Sequence, residues 1–203
     1  VHELVGHALE ADVMGRSASW LSGQEGEVAS RALRVVDDPR RGRVPWKFDD
    51  TGEAVAPIAL IEEGKVVQTL GRGRLRRASF SDPLLPRMGC TFVAAGSATA
   101  EEALRGIAIG LYVRRLEAAS IDPRTGRATF RVTDADLVRD GEITVPVQAC
   151  LLSMTASQAL RAFEAIADDV EFDSCLGTCF KAGQPMAVSV GAPSGGALVS
   201  RIS

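Results

Sequence analysis

Histidine is scarce in this 203-residue chain: there are two, beside four cysteines, one tyrosine and two tryptophans. A metal site built on imidazole alone would lack a third protein ligand, so a third donor must be a thiolate or a carboxylate. Long apolar runs are missing too. The longest, Ala54 to Ile61, contains eight residues and a proline, whereas a membrane-spanning helix needs about 20. No signal peptide is recognisable. Positive charge is not in excess: 23 Lys and Arg stand against 26 Asp and Glu, a net charge of −3. No global field therefore draws the chain to nucleic acid or to an anionic membrane. Cys90, Cys150, Cys175 and Cys179 could make two disulfides, but a chain of this size without an export signal does not depend on them. A reduced, cytoplasmic protein is the expectation. Repeats and low-complexity tracts are absent, and no linker is long enough to separate domains.

What is present is concentrated at the start. His2 and His7 flank Glu3 in the pattern H-E-x-x-x-H. Neutral imidazoles ligate zinc, and a neighbouring carboxylate can take the proton that a metal-bound water must lose to become a nucleophile. In the short zinc-peptidase motif the histidines lie four apart and share a helix face. Five apart, they sit about 140° from one another on a regular helix, too far to grip one ion. A single π-turn, closing i to i+5, would bring them together, and Gly6 is where the backbone could most easily adjust. The plainer alternative is a helix with two surface histidines.

The run His2-Glu3-Leu4-Val5-Gly6-His7-Ala8-Leu9-Glu10-Ala11-Asp12 resembles the H-E-x-x-G-H-x-L-E-x-D signature of the TldD/PmbA family of metallopeptidases, also called modulators of DNA gyrase. Further segments resemble the family in order: Val35 to Pro39, Phe48 to Gly52, Pro86-Arg87-Met88, Gly110-Leu111-Tyr112 and Gly177 to Gln184. The resemblance implies a zinc metallopeptidase with Glu3 as general base. His2 and His7 would be two metal ligands, and Cys179, in a segment similar to the family's C-x-K-x-G-Q, the third. Cys175 competes for that role, while Cys90 and Cys150 read as packing residues. Glu10 and Asp12 match the signature, either orienting a histidine or lying on the helix surface. Extended or unfolded peptides are the expected substrates, with an exposed sheet edge as their template. A homo- or hetero-oligomer with a family member is the expected assembly. Family members carry a large domain before the motif, and the start at Val1 suggests a fragment lacking it. Arg114 to Ser120 and Gly191 to Gly196 depart from the family pattern and put peptide accommodation in doubt. A non-enzymatic regulatory, nucleic-acid-associated protein and an idle subunit of a peptidase complex are the competing readings.

Residues 1–203 read as one α+β, antiparallel β-rich domain. A metal-binding helix is expected from His2 to about Met14, followed by a loop, Ser17 to Gly26, that either covers the site or merely connects. Strands are expected at Ala32–Val36, Ile107–Val113, Thr129–Val138, Met186–Val190 and Ala197–Ile202. Hairpins are expected around Glu62-Glu63-Gly64-Lys65 and at Asp140-Gly141 into Ile143–Val147. Capping boxes at Thr99–Glu102 and Thr155–Gln158 open a short helix and a long one, the latter to Asp169. Gly71 to Arg77 is the most basic run, either an anion patch or a solvated loop, and no aromatics interleave it as nucleic-acid binding would ask.

Overall fold

Short β-branched runs between glycine turns make strands, and the computed structural model, which describes residues 1–172, 177–192 and the backbone of 197–199, consists mostly of them. In chain order they are β1 (Val35–Asp37), β2 (Ile58–Glu62), β3 (Lys65–Val66), β4 (Leu75–Arg76), β5 (Leu85–Pro86), β6 (Cys90–Val93), β7 (Ile109–Asp122), β8 (Arg127–Arg139) and β9 (Glu142–Pro146). Then follow β10 (Cys150–Thr155), β11 (Phe163–Ile166), β12 (Glu171–Phe172), β13 (Gly177–Lys181), β14 (Gln184–Ala192) and β15 (Ala197–Val199). Helices α1 (Ala11–Gly15), α2 (Ala100–Arg105) and α3 (Ala156–Arg161) are short.

The larger sheet has the order β12-β14-β6-β1-β2-β3, with β13 added on β14. Its pairs are antiparallel except β14 and β6, where Ser189 sits beside Cys90 in parallel register. A second sheet, β10-β8-β7 with β9 on β8, is wholly antiparallel. The expected β-rich, antiparallel architecture is thus present. So are the hairpins: Glu62 pairs with Lys65, and Asp140 and Gly141, both at positive φ, close the two-residue turn between β8 and β9. The Arg114 to Ser120 departure lies within β7, whose register shifts between Val113 and Arg115 and again between Ala118 and Ser120. Of the Gly191 to Gly196 run, residues 193–196 lie outside the described residues, as do 200–202 of the last expected strand.

Two helix expectations need correction. The Thr155 capping box forms, with Thr155 Oγ1 accepting from Gln158 N at 3.2 Å, but the helix stops at Arg161. Beyond it Phe163–Ile166 is strand, because β15 and the backbone of residues 96–98 supply its main-chain partners: Gly96 N donates to Ala167 O and Ala98 N to Ile166 O. Helical spacing of apolar residues was a weak prior, and tertiary pairing overrode it. The first helix is likewise broken. His2–Gly6 is π-helical, His7–Leu9 a 3₁₀ turn, and Glu10 extended before α1 starts. There Leu70 intervenes, its N–H donating to Leu9 O and its carbonyl accepting from Ala11 N, each at 2.8 Å.

One buried cluster joins this broken segment to the large sheet: Val5, Leu9, Leu21, Val35, Leu60 and Leu70 are among its members. Beside it lies an ion pair, Arg74 Nε to Asp37 Oδ1 at 2.7 Å, with the two side chains 1% and 0% exposed. Gly89 N and Thr91 Oγ1 also donate to Asp37. The basic run is therefore not an anion patch. Arg72 pairs with Glu53, Arg76 with Asp50, and Arg77 lies over Phe80. Among the described residues no helix is long and apolar enough to cross a membrane.

Candidate metal centre

In the π-turn the His7 N–H donates to His2 O, the i to i+5 closure that five-residue spacing requires. The two imidazoles consequently face one another edge to face, with centroids 4.8 Å apart and planes at 87°. The Ser17–Gly26 segment braces this turn, since Trp20 Nε1 donates to Leu4 O at 3.1 Å. Gly6 adopts ordinary right-handed helical angles, φ −56° and ψ −57°, so its backbone does not need a glycine. Its space does: a Cβ there would lie 1.9 Å from Met88 Sδ.

The third group comes from the other end of the chain. Ala182 and Gly183, both at positive φ, close the β13–β14 hairpin, and Cys179 on β13 is turned back to the π-turn. Its Sγ lies 3.4 Å from His7 Nε2, across 172 residues of sequence. One ligand atom from each of His2, His7 and Cys179 lies within 4.8 Å of the others. Zinc's usual bond lengths to nitrogen and sulfur give a tetrahedral N···S edge of about 3.6 Å, so the donor set fits that ion. Among the described residues the buried Nδ1 of His2 has no hydrogen-bond partner, a costly state for a ring nitrogen unless something else occupies it. Burial, then the charge of His7, pushes His2 down to about 3 and keeps it neutral. Burial opposes a charge on His7 too, yet hydrogen bonds to Cys179 and the Glu10 carboxylate prevail and push it up to about 10.

Glu3 is half-buried on the π-turn, next to His2 and outside the converging trio. Glu10 is 1% exposed, and its Oε2 lies 3.2 Å from His7 Nδ1. It orients a histidine and is no surface acid. Asp12 accepts from Lys181 Nζ at 2.7 Å. Cys90 is buried in β6, and burial followed by the charges of Asp37 and Asp38 pushes its thiol up to about 12. Cys150 is exposed on β10, contrary to the packing role expected of it. Cys175 lies outside the described residues. Sequence reasoning missed Met88, Trp20 and Lys181, although all three stand inside segments it had singled out.

All 203 residues match the model of the PmbA/TldA metallopeptidase C-terminal domain. The chain belongs to the PmbA/TldD family. A metalloprotease TldD homolog of Haemophilus influenzae is 30% identical over 96% of the chain and 43% of the relative. A zinc metalloprotease TldD homolog of Saccharolobus solfataricus is 29% identical over 95% of the chain and 46% of its own length. The chain thus spans about half the length of the curated relatives it matches. The fold is shared with TldE from Thermococcus kodakarensis, at a TM-score of 0.72 and 17% identity, over 96% of this chain and 46% of that one.

Proposed function

We propose that residues 1–203 form one zinc-dependent metallopeptidase unit, with His2, His7 and Cys179 as the metal ligands and Glu3 as the general base. The observation that carries the proposal is the approach of a free thiol to two facing imidazoles, one bearing an unpartnered buried nitrogen. A zinc ion held there would supply Lewis acidity toward a peptide carbonyl and toward water. The chain's own groups do the rest. Glu3 accepts the proton of the attacking water and returns it to the leaving amine, a role typically worth about 10²–10⁴ in rate. Glu10 holds His7 Nδ1, so that Nε2 is the nitrogen presented to Cys179.

Extended or unfolded peptides are the substrates this reading favours. Among the described residues β7 pairs only with β8, leaving one edge of main-chain donors and acceptors open to an added strand, and it lies against the π-turn. The apolar Ile109, Leu111 and Val113 are exposed along it. Pairing with another family member belongs to the same proposal. A nucleic-acid-binding regulator is not favoured, because the basic run is engaged in ion pairs with its own chain.

Three variants of the intact protein test the assignment. Glu3→Gln should retain zinc and lose peptide hydrolysis by about 10²-fold or more, whereas Cys179→Ser should lose zinc and Cys90→Ser should not. A Glu3→Gln protein cleaving peptides at the parental rate removes Glu3 as the base. A Cys179→Ser protein that keeps its zinc removes the ligand assignment.

A further inference from the structure

Lys181 stands two residues after Cys179 on β13, and alternation along a strand sends both side chains to the same face. Its ammonium is satisfied three times. It donates to Asp12 Oδ1 at 2.7 Å and to Pro86 O at 3.0 Å, and it forms an ion pair with Glu10 Oε2 at 2.9 Å. The oxygen it meets on Glu10 is the one that lies 3.2 Å from His7 Nδ1. Resting on the metal-site reading above, we propose that Lys181 is a positioning residue: one ammonium clamps the strand carrying the thiol to the segment carrying the histidines, and through Glu10 fixes the orientation of His7.

The energetics give the clamp its direction. Glu10 is 1% exposed, and among the described residues its Oε1 has no hydrogen-bond partner and the Lys181 ammonium is the one cation besides His7 paired with it. Burying a carboxylate without a countercharge is strongly unfavourable. Without the ammonium, relief comes from turning Glu10 toward solvent, and His7 Nδ1 then loses its acceptor. The hairpin backbone from which Lys181 projects is held in its turn by Arg87 Nη2, which donates to Gln184 O (2.9 Å) and Lys181 O (3.4 Å). The distance from Cys179 to His7 and the orientation of the His7 ring are thereby set by the same contact.

The test uses zinc affinity, measured by competition with a chromogenic chelator, and the thiolate-to-cobalt absorption band of the Co²⁺-loaded intact protein. Lys181→Met should weaken zinc 10–100-fold, the range for groups that orient a ligand, and should diminish the thiolate band at equal cobalt loading. Glu10→Gln should weaken zinc comparably, and adding Lys181→Met to it should cost less than threefold more, since both changes break one chain of contacts. Lys181→Met within twofold of the parent, with an unchanged band, overturns the clamp while leaving the ligand assignment standing. A parent protein that binds neither ion overturns the ligand assignment and the clamp with it. Should Lys181→Met fail to fold, Glu10→Gln alone decides, and parental affinity in that variant overturns the proposal.

Discussion

Replacing Gly6 by alanine separates two reasons for a glycine inside the histidine motif. If the glycine serves backbone freedom, alanine harms the turn whatever surrounds it. If it serves space, the harm depends on Met88. The observed φ −56° and ψ −57° suit alanine, and removing a glycine from a helical position gains about 0.5–1 kcal/mol. Against this, the new Cβ would lie 1.9 Å from Met88 Sδ and 3.2 Å from both Met88 Cγ and Cε. Comfortable carbon contacts need about 3.5–4.0 Å, so the sulfur must move by nearly its own radius inside a cluster where Met88 is 6% exposed. Overpacking of this kind costs about 1–3 kcal/mol. Gly6→Ala should therefore destabilise the metal-free protein by about 1 kcal/mol at mid-range and by at most about 2.5 kcal/mol, the overpacking cost less the helical gain. Met88→Ala leaves a cavity and should cost about 2–5 kcal/mol by itself. In that background the sign should reverse, with Gly6→Ala stabilising by about 0.5–1 kcal/mol because the clash is gone and the helical gain remains. Urea denaturation of the four proteins gives both numbers. Equal destabilisation by Gly6→Ala in the two backgrounds would refute the packing account and restore the backbone one.

Two further outcomes follow from buried charge. Arg74→Met should lower stability by about 3–5 kcal/mol, because it leaves the fully buried Asp37 carboxylate without its ion-pair partner; a parental urea midpoint would contradict this. Zinc affinity should rise with pH between 6 and 9, since His7, held up at about 10, is charged below that value and must lose its proton to become a ligand. His2, pushed down to about 3, adds no such dependence in that range. A flat affinity profile would show that His7 is already neutral when metal arrives.

The features of this fold legible in the sequence are those decided within a few residues. Five-residue histidine spacing admits one way of bringing the rings together, and the π-turn is that way. Asp140-Gly141 and the two capping boxes are local devices, and each forms where its residues stand. The long helix after Thr155 failed for the complementary reason. Leu160, Phe163 and Ile166 belong to the same buried cluster whether the backbone is helical or extended. The choice lay with main-chain partners at residues 96–98 and on β15, which no local pattern announces. Gly6 misled similarly, for the residue that excludes a side chain there, Met88, arrives from a distant strand end.

The same distinction explains why the short signature alone could not reveal the centre. Residues 1–12 supply two imidazoles and the carboxylate that orients one of them, but neither a permanent cation to pair with that carboxylate nor a thiol. Residues 177–184 supply both from one face of β13, Cys179 to His7 and Lys181 to Glu10. Residues 86–88 tie the halves together: Pro86 O accepts from Lys181, Arg87 holds the hairpin's carbonyls, and Met88 fills the space that Gly6 leaves. Each of these three segments exposes an unmet polar or packing requirement when taken by itself. Together they satisfy one another, among the described residues, except at the buried His2 Nδ1, Glu10 Oε1, and Arg87 Nε and Nη1. On the metal-site proposal, the unpartnered His2 ring is the one a bound ion would complete.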